Sequence, residues 1–233
     1  MRYRLALLTL LIISIHAYGQ QKPSVTLNYG LKTGFSSTIY DVREFSVLQT
    51  PITEYTSHSE ISSFYTGFLR VNFQRHYLQT ECSYNISKYS ISFPVYQWHP
   101  VSESREQSII YTKITGIEFP FYYGYHIIKD GVYGMSFYMG PKAKFVLTDI
   151  SNHVFEKLPF STVTEVIQPV NFSMMLGLGI SISPIFFDFS FEYGLHNISD
   201  YFDTTLYNGE VSTDALIFNR RKNVLSFSIG FMF

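Results

Sequence analysis

Cysteine and tryptophan each occur once in this chain of 233 residues, at Cys82 and Trp98. A lone thiol allows no intrachain disulfide, so burial and hydrogen bonding must hold the fold. Charge is scarce too: Asp, Glu, Lys and Arg together make up 15% of the chain, against roughly 25% in soluble domains. The formal net charge is -1, so no basic surface for nucleic acid is implied. Beyond the N-terminal region no apolar run reaches the length of a membrane helix, about 20 residues. The patterns Gly-x-Ser-x-Gly and His-Glu-x-x-His are missing, which removes two common marks of nucleophilic and zinc catalysis.

What the chain has in excess is aromatic surface. Tyr (19) and Phe (22) lift the aromatic fraction to 18%. At the N-terminus, Arg2 and Arg4 precede an apolar stretch from Leu5 to Ile15, and Ala17-Tyr18-Gly19 supplies small residues at a cleavage site. This pattern predicts a signal peptide over residues 1–19 and an exported domain over 20–233. No Cys follows the site, which excludes a lipoprotein. An exported, aromatic-rich, charge-poor chain without membrane helices fits a β-barrel with aromatic girdles. A secreted β-sandwich is the competing reading.

Alternation decides between them. Period-2 runs predict eight strands: Val25–Phe35, Phe64–Phe73, Tyr77–Tyr89, Ile110–Ile127, Val132–Leu147, Val170–Ser181, Ile185–Leu195 and the C-terminal run Leu225–Phe233. The connections at 74–76, 129–131 and around Pro184 are tight. Those at 36–63, 90–108, 148–169 and 196–222 are long. Strict alternation of short and long connections predicts an all-β, eight-stranded, antiparallel, up-and-down transmembrane barrel. Short turns and both termini would lie in the periplasm, and long loops outside.

One face of each run is apolar. The other carries Lys32, Arg70, Glu81, Glu118, Lys142, Lys144, Asp188 and Glu192. Four cations against four carboxylates predict a paired charge network inside a lumen that side chains fill. Cys82 falls on the apolar, lipid-facing side, where Lys113 is the one charge. Gly177 and Gly179 face inward, leaving space for rings such as Tyr138 or Tyr122. Pro120 inside the fourth strand implies a bulge or local irregularity. The last strand ends Phe231-Met232-Phe233, and Phe231 and Phe233 are expected to form the signal read by the barrel-assembly machinery.

The segments Tyr77-Leu-Gln-Thr-Glu-Cys-Ser-Tyr84, Ile117-Glu-Phe-Pro-Phe-Tyr122, Phe172-Ser-Met-Met-Leu-Gly-Leu-Gly179 and Phe191-Glu-Tyr-Gly-Leu-His-Asn-Ile198 resemble strands of the PorT-like outer-membrane barrel family of Bacteroidota. The order and spacing of these motifs carry the resemblance across nearly the whole mature chain. Thr80 stands where that family usually has Pro. The resemblance implies an eight-stranded barrel in the outer membrane and no single shared activity.

Chemistry is sparse. His58, His99, His153 and His196 fall in or beside long loops, His196 near Asp200 and Asp203, and His153 near Glu156. Asp200, Asp203, Glu210 and Asp214 match no calcium-loop spacing. Trp98 reads as an interface anchor. No catalytic residue, cofactor or metal is expected. The expected function is a non-enzymatic structural or interaction role through the outer loops. The alternatives are an accessory subunit of a secretion or envelope-assembly machine and, behind it, a rim-sited lipid-modifying enzyme. The expected partners are outer-membrane lipid and lipopolysaccharide, the assembly machinery, and an envelope or secretion protein.

Overall fold

The computed structural model describes residues 25–95, 107–147, 154–156, 160–206, 211–212 and 215–233. The expected signal peptide, Trp98, His99, His153, Glu210 and Asp214 lie outside the described residues.

Eight long strands build the molecule: β1 (Val25–Val47), β2 (Ile61–Phe73), β3 (His76–Pro94), β4 (Gln107–Asp130), β5 (Tyr133–Val146), β6 (Val170–Ile182), β7 (Ile185–Asn197) and β8 (Leu216–Met232). Each pairs antiparallel with its sequence neighbours. β1 also pairs with β8, from Gly30↔Met232 to Val47↔Leu216, so the sheet closes on itself. Closure removes the unpaired edges that an open sheet would expose. Phe233 completes the seam, its amide donating to Tyr29 O at 2.7 Å and its carbonyl accepting from Tyr29 N at 3.0 Å.

The alternation sorts side chains as a membrane barrel requires. Leu27, Tyr29, Leu31, Leu69, Phe121, Met139, Leu176, Phe189 and Phe231 are exposed on the outer wall, as is Cys82. The eight charged residues singled out in the sequence are buried inside. Lys113 is exposed as expected, but a second lysine, Lys88, is its exposed cross-strand partner, so the outer wall carries two adjacent cations.

The strands run further than their apolar alternation indicates. β1 has 23 residues and β4 has 24, about twice the 9–11 that cross a bilayer. Much of what reads as long loop is therefore paired strand. Past Ile39 the pattern inverts, because the outer wall there is polar while the inside becomes apolar. Asp41 and Arg43 are half exposed, whereas Tyr40, Phe45 and Val47 are buried. A register shift between Val42 and Glu44 changes which residues point inward. The remaining long connections also hold strand. Phe160–Ile167, Ser199–Leu206 and Val211–Ser212 form a separate three-stranded sheet, while Thr56–Ser59 pairs with β3 and Val154–Glu156 with β4.

At Pro120 the strand shows a local irregularity and not a bulge. Its register with Lys142 continues unshifted to Tyr123↔Met139, and only the intervening ladder pairs lapse. The shift in β4 comes later, between His126 and Ile128.

One ladder lapses. β6 and β7 pair from Ile182↔Ile185 to Ser173↔Gly194, where their register pairs stop. Pairing resumes where Gln168 N donates to Ile198 O at 2.9 Å and Ser199 pairs with Ile167. Pro169 lies in this interval and, lacking an N–H, cannot extend the ladder.

Candidate functional site: the barrel lumen

Three layers fill the lumen from the short-turn end to the long-loop end. The first is aromatic. Tyr77, Tyr122 and Tyr138 are buried with Met175, and the rings of Tyr122 and Tyr138 stack at 4.6 Å. A Cβ at Gly177 would fall 2.4 Å from the Tyr138 ring, so only glycine leaves that ring its place. Arg70 lies over Tyr77, with Cζ 4.3 Å from the ring centroid. A buried guanidinium gains from such a face when water is excluded.

The second layer is ionic. Lys32 on β1 reaches Glu81 on β3 at 2.7 Å and Asp188 on β7 at 3.1 Å. Glu81 also accepts from Gln79 Nε2 at 2.6 Å and from the Tyr122 hydroxyl. Lys142 on β5 bridges Glu118 on β4 at 2.9 Å and Glu192 on β7. Lys144 adds a second contact to Glu118 at 3.3 Å and donates to Asn85 at 3.2 Å.

The structure thus brings seven of the eight charged residues into ion pairs with one another. Arg70 differs: its Nε donates to Gln79 Oε1, and its guanidinium rests on aromatic rings. Lys222 on β8 joins Lys32, Lys142 and Lys144 as a fourth cation of the layer, donating to Ser87 Oγ at 3.2 Å. Taking charges out of water is costly unless partners and hydrogen bonds replace the solvent. Here each carboxylate meets at least one ammonium. A small polar cavity of about 40 Å³ lies among Lys32, Glu81, Glu118, Lys142, Glu192 and Lys222.

The third layer is an apolar core at the loop end, including Tyr40, Phe45, Val47, Ile91, Phe93, Leu216 and Phe218. Phe45 packs edge-on to Phe93 and tilted against Phe218, each at 4.8 Å. Beside them Arg220 on β8 pairs with Glu165 of the small sheet at 2.7 Å, both about 1% exposed. Arg220 and Lys222 escape a reading that ends the last strand's alternation at Val224. Continuing the same period backward points both inward with Val224 and Phe218.

The candidate catalytic groups do not assemble. His196 places its ring edge-on to Phe172 at 6.1 Å. Asp203 lies opposite Thr164 in the small sheet, and His58 pairs in backbone register with Ser90 on β3. Among the described residues no three His, Cys, Asp or Glu side chains gather as a metal site.

A family model described as "Outer membrane protein beta-barrel domain" matches residues 18–200, most of the chain. The protein belongs to that family. This outer membrane protein beta-barrel domain therefore locates the chain in the bacterial outer membrane. Its fold is similar to the outer membrane protein OprG from Pseudomonas aeruginosa, with a TM-score of 0.52 and 9% identity over 88% of this chain and 95% of that one. The outer membrane protease OmpT from Escherichia coli aligns at a TM-score of 0.42 and 8% identity, over 93% of this chain and 99% of that one. Neisserial surface protein A aligns at 0.39 and 8%, over 89% and 97%. No curated protein matches the sequence. At these identities the solved structures speak to the barrel's fold alone.

Proposed function

We propose that this barrel is a non-enzymatic outer-membrane protein whose loop end is a rigid interaction platform. The observation that carries this reading is the apolar core inside the strand extensions. Phe45, Phe93 and Phe218 hold the ends of β1, β3 and β8 together beyond the apolar belt. A packed core gives a defined surface and fills the lumen at that end. Leu48, Tyr55 and Tyr201 are exposed there, and aromatic side chains are favoured anchors of protein contacts. In this reading the turns and both termini are periplasmic, residues 1–19 are removed on export, and Phe231 and Phe233 are read by the barrel-assembly machinery.

Lipopolysaccharide is the proposed lipid partner. Lys88 and Lys113 oppose each other on the outer wall, and two adjacent cations suit a phosphate group. Replacing both with alanine is expected to weaken binding of purified lipopolysaccharide while leaving the barrel folded. Unchanged binding overturns this assignment.

A second reading is an accessory subunit of a secretion or envelope-assembly machine. Extraction of the tagged full chain in mild detergent, followed by identification of stoichiometric partners, separates the two. A partner lost when Leu48, Tyr55 and Tyr201 become serine marks the platform. A secretion or envelope component retained through those changes marks the accessory subunit.

A further inference from the structure

Like charges directly opposite each other across a ladder repel. Lys88 on β3 and Lys113 on β4 stand so on the outer wall, both exposed. Among the described residues neither ammonium has an ion pair or a hydrogen bond. An anion held between them would offset that repulsion.

The register shows what lies below this pair along the membrane normal. Followed from strand to strand through its ladder pairs, Leu27 on β1 leads through Val71, Leu78 and Tyr123 and round the ring to Ser37 on β1, nearer the loop end. The strands are therefore tilted, and a line along the normal passes from β1 to β2 to β3 as it rises toward the loop end. Strands lie about 4.8 Å apart and alternate residues about 6.8 Å apart. A step of one strand and two residues thus makes about 35° with the strand, which is the tilt of such barrels. From Thr33 that step leads past its partner Tyr65 to Ser63, and then past Ile86 to Lys88.

Thr33 and Ser63 are the floor of a groove that climbs the wall to the lysine pair. The same step from Leu31 reaches Tyr65, and from Phe35 it reaches Ile61; these are the two sides. Ile61 is 76% exposed and Leu31 68%, more than any other large apolar side chain described. They stand clear because their ladder partners, Ser37 and Gly67, are small. Thr33 Oγ1 donates to Phe64 O at 3.0 Å, so the floor turns no unpaired hydroxyl hydrogen to lipid there. At the foot of the groove an open space of about 430 Å³ lies between Thr33, Tyr65, Gly67, Ile229 and Phe231. The two steps from Thr33 to Lys88 cover about 17 Å, close to the roughly 15 Å hydrocarbon depth of one leaflet.

We propose that an acyl chain of lipopolysaccharide lies in this groove, with a phosphate of the same molecule held between Lys88 and Lys113. A groove along the normal matches a lipid tail, and the lysine pair at its loop end matches a phosphate. Lipid tails are as apolar as the wall, so closeness of fit selects the occupant. This seat for the tail rests on the assignment of lipopolysaccharide to the lysine pair and of the loop end to the cell exterior.

The test uses the full mature barrel in phosphatidylcholine nanodiscs, with purified lipopolysaccharide labelled on its sugar as probe. Ser63→Trp fills the groove and leaves both lysines. It is expected to weaken binding about fivefold, the scale of packing contacts within membranes, while Leu176→Trp on another wall leaves binding unchanged. Lys88→Ala with Lys113→Ala is measured beside them. Weakening by the lysine changes alone leaves the phosphate assignment standing and overturns the groove; no weakening by either set overturns both. A second measurement needs only a conservative change of an exposed ring. Phe35→p-benzoylphenylalanine, irradiated in isolated outer membranes, is expected to capture lipopolysaccharide more than the same replacement of Phe172, which is exposed on β6 across the ring. Equal capture at the two positions, or capture of phospholipid or of a second copy of the chain at Phe35, overturns the proposal.

Discussion

Lys32 and Asp188 meet across the lumen at 3.1 Å although 156 residues separate them. The same ammonium holds Glu81 at 2.7 Å, so one side chain of β1 ties β3 to β7, which lie on opposite sides of it around the ring. Neighbouring strands are already joined by their ladders. This contact joins strands that share no backbone hydrogen bonds.

Removing that tie should cost more than an exposed pair would. Lys32→Met leaves two buried carboxylates with one fewer cation, and breaking such a buried pair costs about 3–5 kcal/mol. Urea unfolding of the detergent-solubilised barrel reads the loss. Adding Glu81→Gln to Lys32→Met is expected to recover part of it, because an unpaired charge then disappears. No recovery would mean that the Lys32 stem, not its charge, stabilises the lumen.

Packing under the aromatic layer makes a second expectation. Gly177→Ala places a methyl against the Tyr138 ring, 2.4 Å from Cζ before relaxation, a level of overpacking that costs about 1–3 kcal/mol. With Tyr138→Ala in the background the same substitution is expected to be nearly neutral. A double-mutant cycle in unfolding free energy measures that coupling, and simple additivity would contradict the contact.

The outer wall can be mapped by charge. Leu176 is 47% exposed and sits within the run of exposed apolar residues on β6. Leu176→Arg is expected to destabilise the barrel by about 2–4 kcal/mol in a lipid bilayer. Arg43, half exposed beyond the belt, is expected to tolerate Leu within about 0.5 kcal/mol. Folding equilibria measured in lipid vesicles compare the two, and equal effects would misplace the membrane belt.

The Arg220–Glu165 pair fastens the small sheet to β8 at 2.7 Å. Arg220→Met is expected to loosen the Phe160–Ile167 and Ser199–Leu206 strands while the belt region stays intact. Limited proteolysis with peptide mapping checks this. Faster cleavage confined to those two segments is the expected result; cleavage spread through β1–β8 would assign the pair to the barrel as a whole.

The sequence by itself determined the closed antiparallel barrel with its polar inside and apolar outside. Side-chain direction in a strand has a period of two, and lipid on one face with a filled lumen on the other forces a chemical alternation that can be read residue by residue. Lys32, Glu81, Lys142 and Asp188 are assigned to the lumen by that parity alone. Their pairings belong to tertiary structure, because strand tilt and stagger decide which inward side chains share a level. Tertiary structure also decided the loop end. Where the wall leaves lipid, the alternation reverses its sign, so Tyr40, Phe45 and Phe218 read as loop residues until their strands are seen paired around them. Lys222 was hidden in the same stretch. The lapse of the β6–β7 ladder beside it has no sequence signature beyond Pro169 and Gly194, because it depends on how the two strands are registered against their neighbours.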